Sequence, residues 1–94
     1  MSWQLLYTEH CLFAEALMAN QAHLKILMQG VHVWNIWRKN RASIFPDLSG
    51  ANFANRNLAG CDFSNTNLDG ADLTNANVAG ARFHGASLEG TRGM

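Results

Sequence analysis

The chain is short of most things that announce a chemistry. Only 15% of its 94 residues are charged and the net charge is zero, so no electrostatic attraction to bulk nucleic acid is expected. There is no apolar run long enough to cross a bilayer. The first residues lack a basic stretch, and Glu9 and His10 interrupt the apolar ones, so no signal peptide is read there. Two cysteines, Cys11 and Cys61, stand in different segments and make no disulfide framework, which fits a reducing, cytoplasmic setting. There is no Cys-x-x-Cys pair, phosphate-binding loop, nucleophile–base arrangement or cofactor fingerprint. At this length the chain is near the lower limit for burying a useful core, yet its 48% hydrophobic content is that of a globular protein rather than a disordered one.

What it does have is a repeat of five residues. Large apolar residues fall at Leu48, Phe53, Leu58, Phe63, Leu68, Leu73, Val78, Phe83 and Leu88 without a slip in register. Two positions before Phe53 and each later one the residue is mostly small, Ala51, Arg56, Cys61, Thr66, Ala71, Ala76, Ala81 and Ala86, and Thr91 continues the series. Two positions later it is only Gly or Asn, from Gly50 and Asn55 through Gly85 and Gly90.

A period of five suits neither regular element. On a helix, at about 100° per residue, the apolar side chains would drift by roughly 140° per repeat and form no face. On a straight strand an odd period sends successive Leu and Phe to opposite sides. The chain must therefore turn once per repeat, and Gly or Asn, which tolerate positive φ, stand where each corner belongs. The expected result is a coil with flat sides, with the large and small residues pointing inward and the other three outward. In that coil Cys61 is a buried thiol.

The stretch from Asp47 to Arg92, with its best matches at ANFAN, CDFSN, TNLDG, ADLTN and ANVAG, resembles the pentapeptide-repeat proteins, whose pattern is A(D/N)LXX. The resemblance implies a mainly β fold, a right-handed quadrilateral β-helix with four repeats and twenty residues per coil. That spacing stacks Leu48, Leu68 and Leu88 in one column, Phe63 over Phe83, Phe53 over Leu73, Leu58 over Val78, and Cys61 over Ala81. Just over two coils are expected. Arg56, Arg82 and Ser87 depart from the pattern.

Residues 1–45 lack the period and are read as a helical N-terminal cap on the repeat domain, 46–94. Helices are expected over 3–18 and 21–39, with Ser2 and Asn20 as N-caps. Trp3, Leu6, His10, Phe13 and Leu17 would share one face of the first helix. In the second, Leu24, Leu27, Val31 and Trp34 form a stripe at helical spacing, while Lys25, Gln29, His32, Asn35 and Lys39 occupy the polar side. Gly30, unfavourable by about 1 kcal/mol in a helix interior, marks a kink or a close approach. An uncapped coil end exposes apolar side chains and unpaired edges, so the stripe is expected to lie on the coil holding Leu48 and Phe63. The string QGVHVWNIWRKNR also resembles the helical lead-in of many bacterial members of the family.

No catalytic, cofactor-binding or metal site is expected, and the sequence gives no binding residue. His10, Cys11, His23 and His32 match no zinc-ligand spacing. His84 lies at an outward position beside Arg82. Asp47, Asp62, Asp69, Asp72 and Glu89 are also outward. Asp62 and Asp72, two sides apart, face away from each other, and Asp69 and Asp72 sit solvated near one corner. Asp and Asn before each central residue suit local turn hydrogen bonds better than acid–base work. Trp34 and Trp37 read as core, with Trp37 and Arg38 near the junction.

The expectation is therefore a non-catalytic interaction or assembly scaffold without cofactor. It would self-associate, as a dimer, through its last coil or its first helix, and could take another protein partner, but neither nucleic acid nor membrane. The alternative that the resemblance implies, inhibition of a type II topoisomerase by DNA mimicry, requires dense negative charge. Residues 46–94 carry a net charge of only −2 (Asp47, Asp62, Asp69, Asp72 and Glu89 against Arg56, Arg82 and Arg92), against +2 for residues 1–45.

Overall fold

A computed structural model describes residues 20–93; the helix expected over 3–18 lies outside them. The second expected helix is present but divided. Helix α1 runs Gln21–Met28 and helix α2 runs Val31–Asn40. Between them Gly30 has φ +120°, a backbone conformation that L side chains rarely adopt. The one continuous helix drawn over 21–39 is thus corrected: Gly30 ends it and starts the next. Asn20 is the N-cap of α1, its Oδ1 accepting from the amides of Ala22 and His23 at 2.9 and 3.2 Å.

Beyond Pro46 the chain coils. Parallel bridges join Asp47 to Asn67 and Asn67 to Ser87, Asn52 to Asp72 and Asp72 to Arg92, Asn57 to Asn77, and Asp62 to Arg82. Each spans twenty residues, so four repeats close one coil. Each central residue from Leu48 to Leu73 bonds downward, as Leu48 N does to Asn67 O and Phe53 N to Asp72 O, both at 2.8 Å. From Asn67 on, the residue before a central position bonds upward, as Asp72 N does to Ala51 O at 2.9 Å.

Every repeat then turns. The carbonyl of each central residue accepts from the amide three positions on, from Leu48 O with Ala51 N to Leu88 O with Thr91 N. Positive φ falls only on the third residue of each turn, Asn55 at 64° and Gly60 at 74° for instance, which is the type II signature. The preceding Asp or Asn supports the turn in all seven repeats that have one. Oδ1 of Asp47, Asn52, Asn57, Asp62, Asn67, Asp72 and Asn77 accepts from the amide two residues on.

Because the chain turns every five residues, each side contributes a single bridging residue. No extended strand or sheet forms among the described residues. The expected fold is met in part: the coils stack by parallel bridges of isolated residues, and the regular elements among the described residues are the two helices.

The stacked columns hold. Leu48, Phe53, Leu58, Phe63, Leu68 and Leu73 are buried, with Ala51, Cys61, Thr66 and Ala71 beside them. Phe63 and Phe83 stack at 5.5 Å with planes 24° apart. Arg56, in a slot meant for a small inward residue, is exposed. Burial is one-sided along the axis. The coil under the helices is closed, whereas Val78, Phe83 and Leu88 of the last coil are only half-buried.

Candidate interaction surface

A coil stack has two ends, and at each the backbone groups that would meet the next coil need partners. At the first end the helices supply some of them. Inner coils satisfy the amide and carbonyl of the residue before each central position from above. In the first coil, Asp47 N donates to Nδ1 of His23 at 3.1 Å, and Asp47 O accepts from Asn20 N at 3.0 Å. Fifteen residues on, Asp62 N donates to Oδ1 of Asn35 at 2.9 Å, and Asp62 O accepts from the indole N–H of Trp34 at 2.7 Å. Ser64 O accepts from Nη2 of Arg38 at 2.9 Å. Side chains of two helices and the backbone amide of Asn20 therefore reproduce, at two sides of the coil, the bonds a preceding coil would make. They also satisfy backbone groups that would be costly to bury alone.

The packing follows the predicted stripe. Leu27 and Trp34 are buried, and Leu24 and Val31 pack beside them against the coil. Trp34 meets Phe63 at 6.4 Å and Trp37 at 5.2 Å.

One edge ligand was misread by residue type, and another was placed only as near the junction. Asn35, expected on the polar side, is an edge ligand whose Nδ2 also donates to Gly60 O at 2.9 Å. Arg38 is 4% exposed. Its Nη1 donates to Ile44 O at 2.8 Å, and its Nε has no partner among the described residues. The signal was in the spacing: Arg38 continues the stripe Leu24, Leu27, Val31, Trp34 by one more helical step.

The other singled-out groups are scattered. His10 and Cys11 lie outside the described residues, His32 is exposed, and His23 is half-buried with its Nδ1 engaged. No three His, Cys, Asp or Glu among the described residues converge on a point that could hold a metal ion. Burial pushes the Cys61 thiol up to about 12, and neighbouring Asp62 adds to that; a thiol so placed is inert.

Asp62 and Asp72 belong to opposite sides, bridged to Arg82 and Arg92 respectively. Burial favours the neutral form of Asp62. Hydrogen bonds from Ser64 and the charges of Arg38 and Arg82 outweigh it and hold the carboxyl below its usual range. Asp72 is lowered chiefly by its bonds with Thr74. Asp69, expected to be free at a corner, instead joins two coils: its Oδ1 accepts from the Ser87 hydroxyl and the Glu89 amide. A shallow polar cleft at the seam of cap and coil is lined by Asn35, Lys39, Gly60, Asp62 and Arg82. Exposed His84 does not line it.

At the other end the helices do nothing. The amides of Val78, Gly80, Phe83, Gly85, Leu88 and Gly90, and the carbonyls of Ala76, Ala81 and Ala86, stand where a third coil would bond. None has a backbone partner among the described residues. This edge carries both donors and acceptors, beside half-buried Phe83 and Leu88.

Comparison with known proteins agrees with the geometry. The family model for pentapeptide repeats matches residues 47–85 in eight copies. No curated protein and no solved structure matches the chain. Residues 47–85, set behind the two helices at 21–40, belong to the pentapeptide-repeat family.

Proposed function

We propose that this chain is a non-catalytic protein-interaction or assembly scaffold whose coils form a right-handed, four-sided β-helix. In this reading it works in the cytoplasm and pairs with a second copy through its last coil. The observation that carries it is the asymmetry of the two ends. Helix groups meet the first edge, while the last edge presents amides and carbonyls without backbone partners among the described residues, around half-buried Phe83 and Leu88. Such an edge is a template for pairing. It offers donors and acceptors together, so one copy can complement another about a twofold axis.

The polar side chains support the same reading. The Asp and Asn residues hold turns and Asn35, Trp34 and Arg38 hold the first edge, leaving none of these grouped for a reaction. DNA mimicry has less support, since outward carboxylates alternate with neutral Asn and with Arg82 and Arg92.

Light scattering across a concentration series, with amide exchange at Val78, Phe83 and Leu88, tests the reading. A dimer in which those three amides become protected as it forms is the expected result. A monomer at every concentration, with the three exchanging freely, overturns it.

A further inference from the structure

The first edge contains a group whose bond depends on its charge. Asp47 is tied to α1 at both backbone atoms: its carbonyl accepts from Asn20 N, and its amide donates to His23 Nδ1 at 3.1 Å. A backbone amide can only donate, so this nitrogen of His23 must be the unprotonated one. An imidazolium carries a hydrogen on both nitrogens, and in this position would set N–H against N–H. If the ring instead swung toward the Asp47 carboxylate, the amide would still lose its acceptor. The other bonds at this end do not depend on pH in the same way: the Trp34 indole, the Asn35 amide and the Arg38 guanidinium keep one protonation state across the neutral and mildly acid range.

We propose that His23 is a proton-operated latch. Neutral, it closes the first corner of the coil against α1; protonated, it releases Asp47 and opens that corner, while α2 stays fixed through Trp34, Asn35 and Arg38. Among the described residues three face the ring. Asp47 on the coil favours the charged form, Arg38 on α2 opposes it, and Trp37 on α2 lies 5.2 Å from the ring and bears no charge. Lys25 lies two residues along α1 itself. Burial together with Arg38 outweighs Asp47 and holds His23 below its ordinary value of 6.5.

The sign follows from linkage. The closed corner binds fewer protons than the open one, so closure is complete above 6.5 and weakens as pH falls from there toward the folded value. What acid opens is a coil edge with a free amide donor beside Leu48, a short template for pairing.

Amide-exchange protection measured by NMR on the full chain between pH 7.5 and 5.5 tests the latch. Protection at Asp47 N is expected to fall several-fold. Protection at Phe53 N, bonded to Asp72 O inside the stack, is expected to stay constant. His23→Gln, which offers an amide oxygen at every pH, should abolish the difference. The proposal fails if Asp47 follows Phe53 throughout, or if His23→Gln keeps the same pH response. Should that variant not fold, the native protein still decides: the His23 ring titration and the loss of Asp47 protection must share one midpoint, and two separate midpoints overturn the latch.

Discussion

The indole N–H of Trp34 donates to the carbonyl of Asp62 at 2.7 Å, from a side chain with no exposed surface. One residue thus does two jobs. Its ring covers Phe63 at the end of the coil, and its nitrogen takes the place of a backbone amide from a coil that does not exist. Trp34→Phe keeps most of the ring and removes the donor, leaving a carbonyl unsatisfied. It should cost about 1–3 kcal/mol, whereas Trp34→Ala, which also opens a cavity, should cost about 3–5 kcal/mol. Urea melts of the two variants check the order. Equal losses would mean that the bond contributes nothing beyond packing.

Much of this was legible before any coordinates. The five-residue period, the Gly and Asn corners and the columns of Leu and Phe are consequences of hard sterics repeated nine times, and repetition averages out local exceptions. The Asn20 cap and the stripe through Leu27 and Trp34 were readable for the same reason: each obeys a spacing rule. The edge ligands were not. Asn35 looks like a solvent-facing residue by type and Arg38 was placed only near the junction; what recruits them is the hydrogen-bonding demand of a coil end some 25 residues away, which no local pattern encodes. The division at Gly30 was half-readable. Its low helix propensity was plain, but whether a glycine bends a helix or ends it depends on what the flanking helices pack against.

The depressed Asp62 and Asp72 carboxyls predict the acid limb of the stability curve. Groups held below the usual value of 3.8 lend stability that is complete above that pH and is lost as pH falls through their folded values. Stability should therefore decline below about pH 4, apart from the effect of His23 at higher pH. Asp62→Asn keeps the turn-holding oxygen for the Ser64 amide but cannot titrate. Its thermal melting should be flatter than that of the native chain between pH 4 and 2; an unchanged slope would remove Asp62 from the account.

Cys61 should be silent toward thiol reagents while the protein is folded. It is fully buried, and its thiol is pushed up to about 12, so almost none is thiolate at neutral pH. Peptide mapping after brief maleimide treatment should find the Cys61 peptide unlabelled in buffer and labelled in urea. Cys61→Ala should be tolerated within about 1.5 kcal/mol, since Ala81 already fills the next place in that column.

Phe63 sits at the crossing of three ring contacts, with Trp34 above, Phe53 beside and Phe83 below. Phe63→Asp puts a charge into that stack with no partner and should unfold the coil; Phe63→Leu should lose only about 1–1.5 kcal/mol, a fraction of the cost of a full truncation. Circular dichroism and urea melts distinguish them. A folded Phe63→Asp protein would contradict the inward assignment of the central residues.

The corners test whether the repeat is specified by backbone geometry or by contacts. Gly80 has φ +71°, and a Cβ added there would meet only the Gly60 amide nitrogen, at 4.0 Å, an ordinary contact. Space is therefore not what demands glycine. Asn55, Asn65 and Asn75 adopt the same conformation at 54–64°, so Gly80→Asn should change stability by no more than about 0.5 kcal/mol, the loss of glycine's freedom in the unfolded chain offsetting part of the left-handed strain. Gly80→Val, with the same Cβ but β-branched, should cost about 2 kcal/mol or more. If the two substitutions were equally harmful, the corner would be set by crowding rather than by φ; if Val were as harmless as Asn, the type II turn would not be what closes the coil.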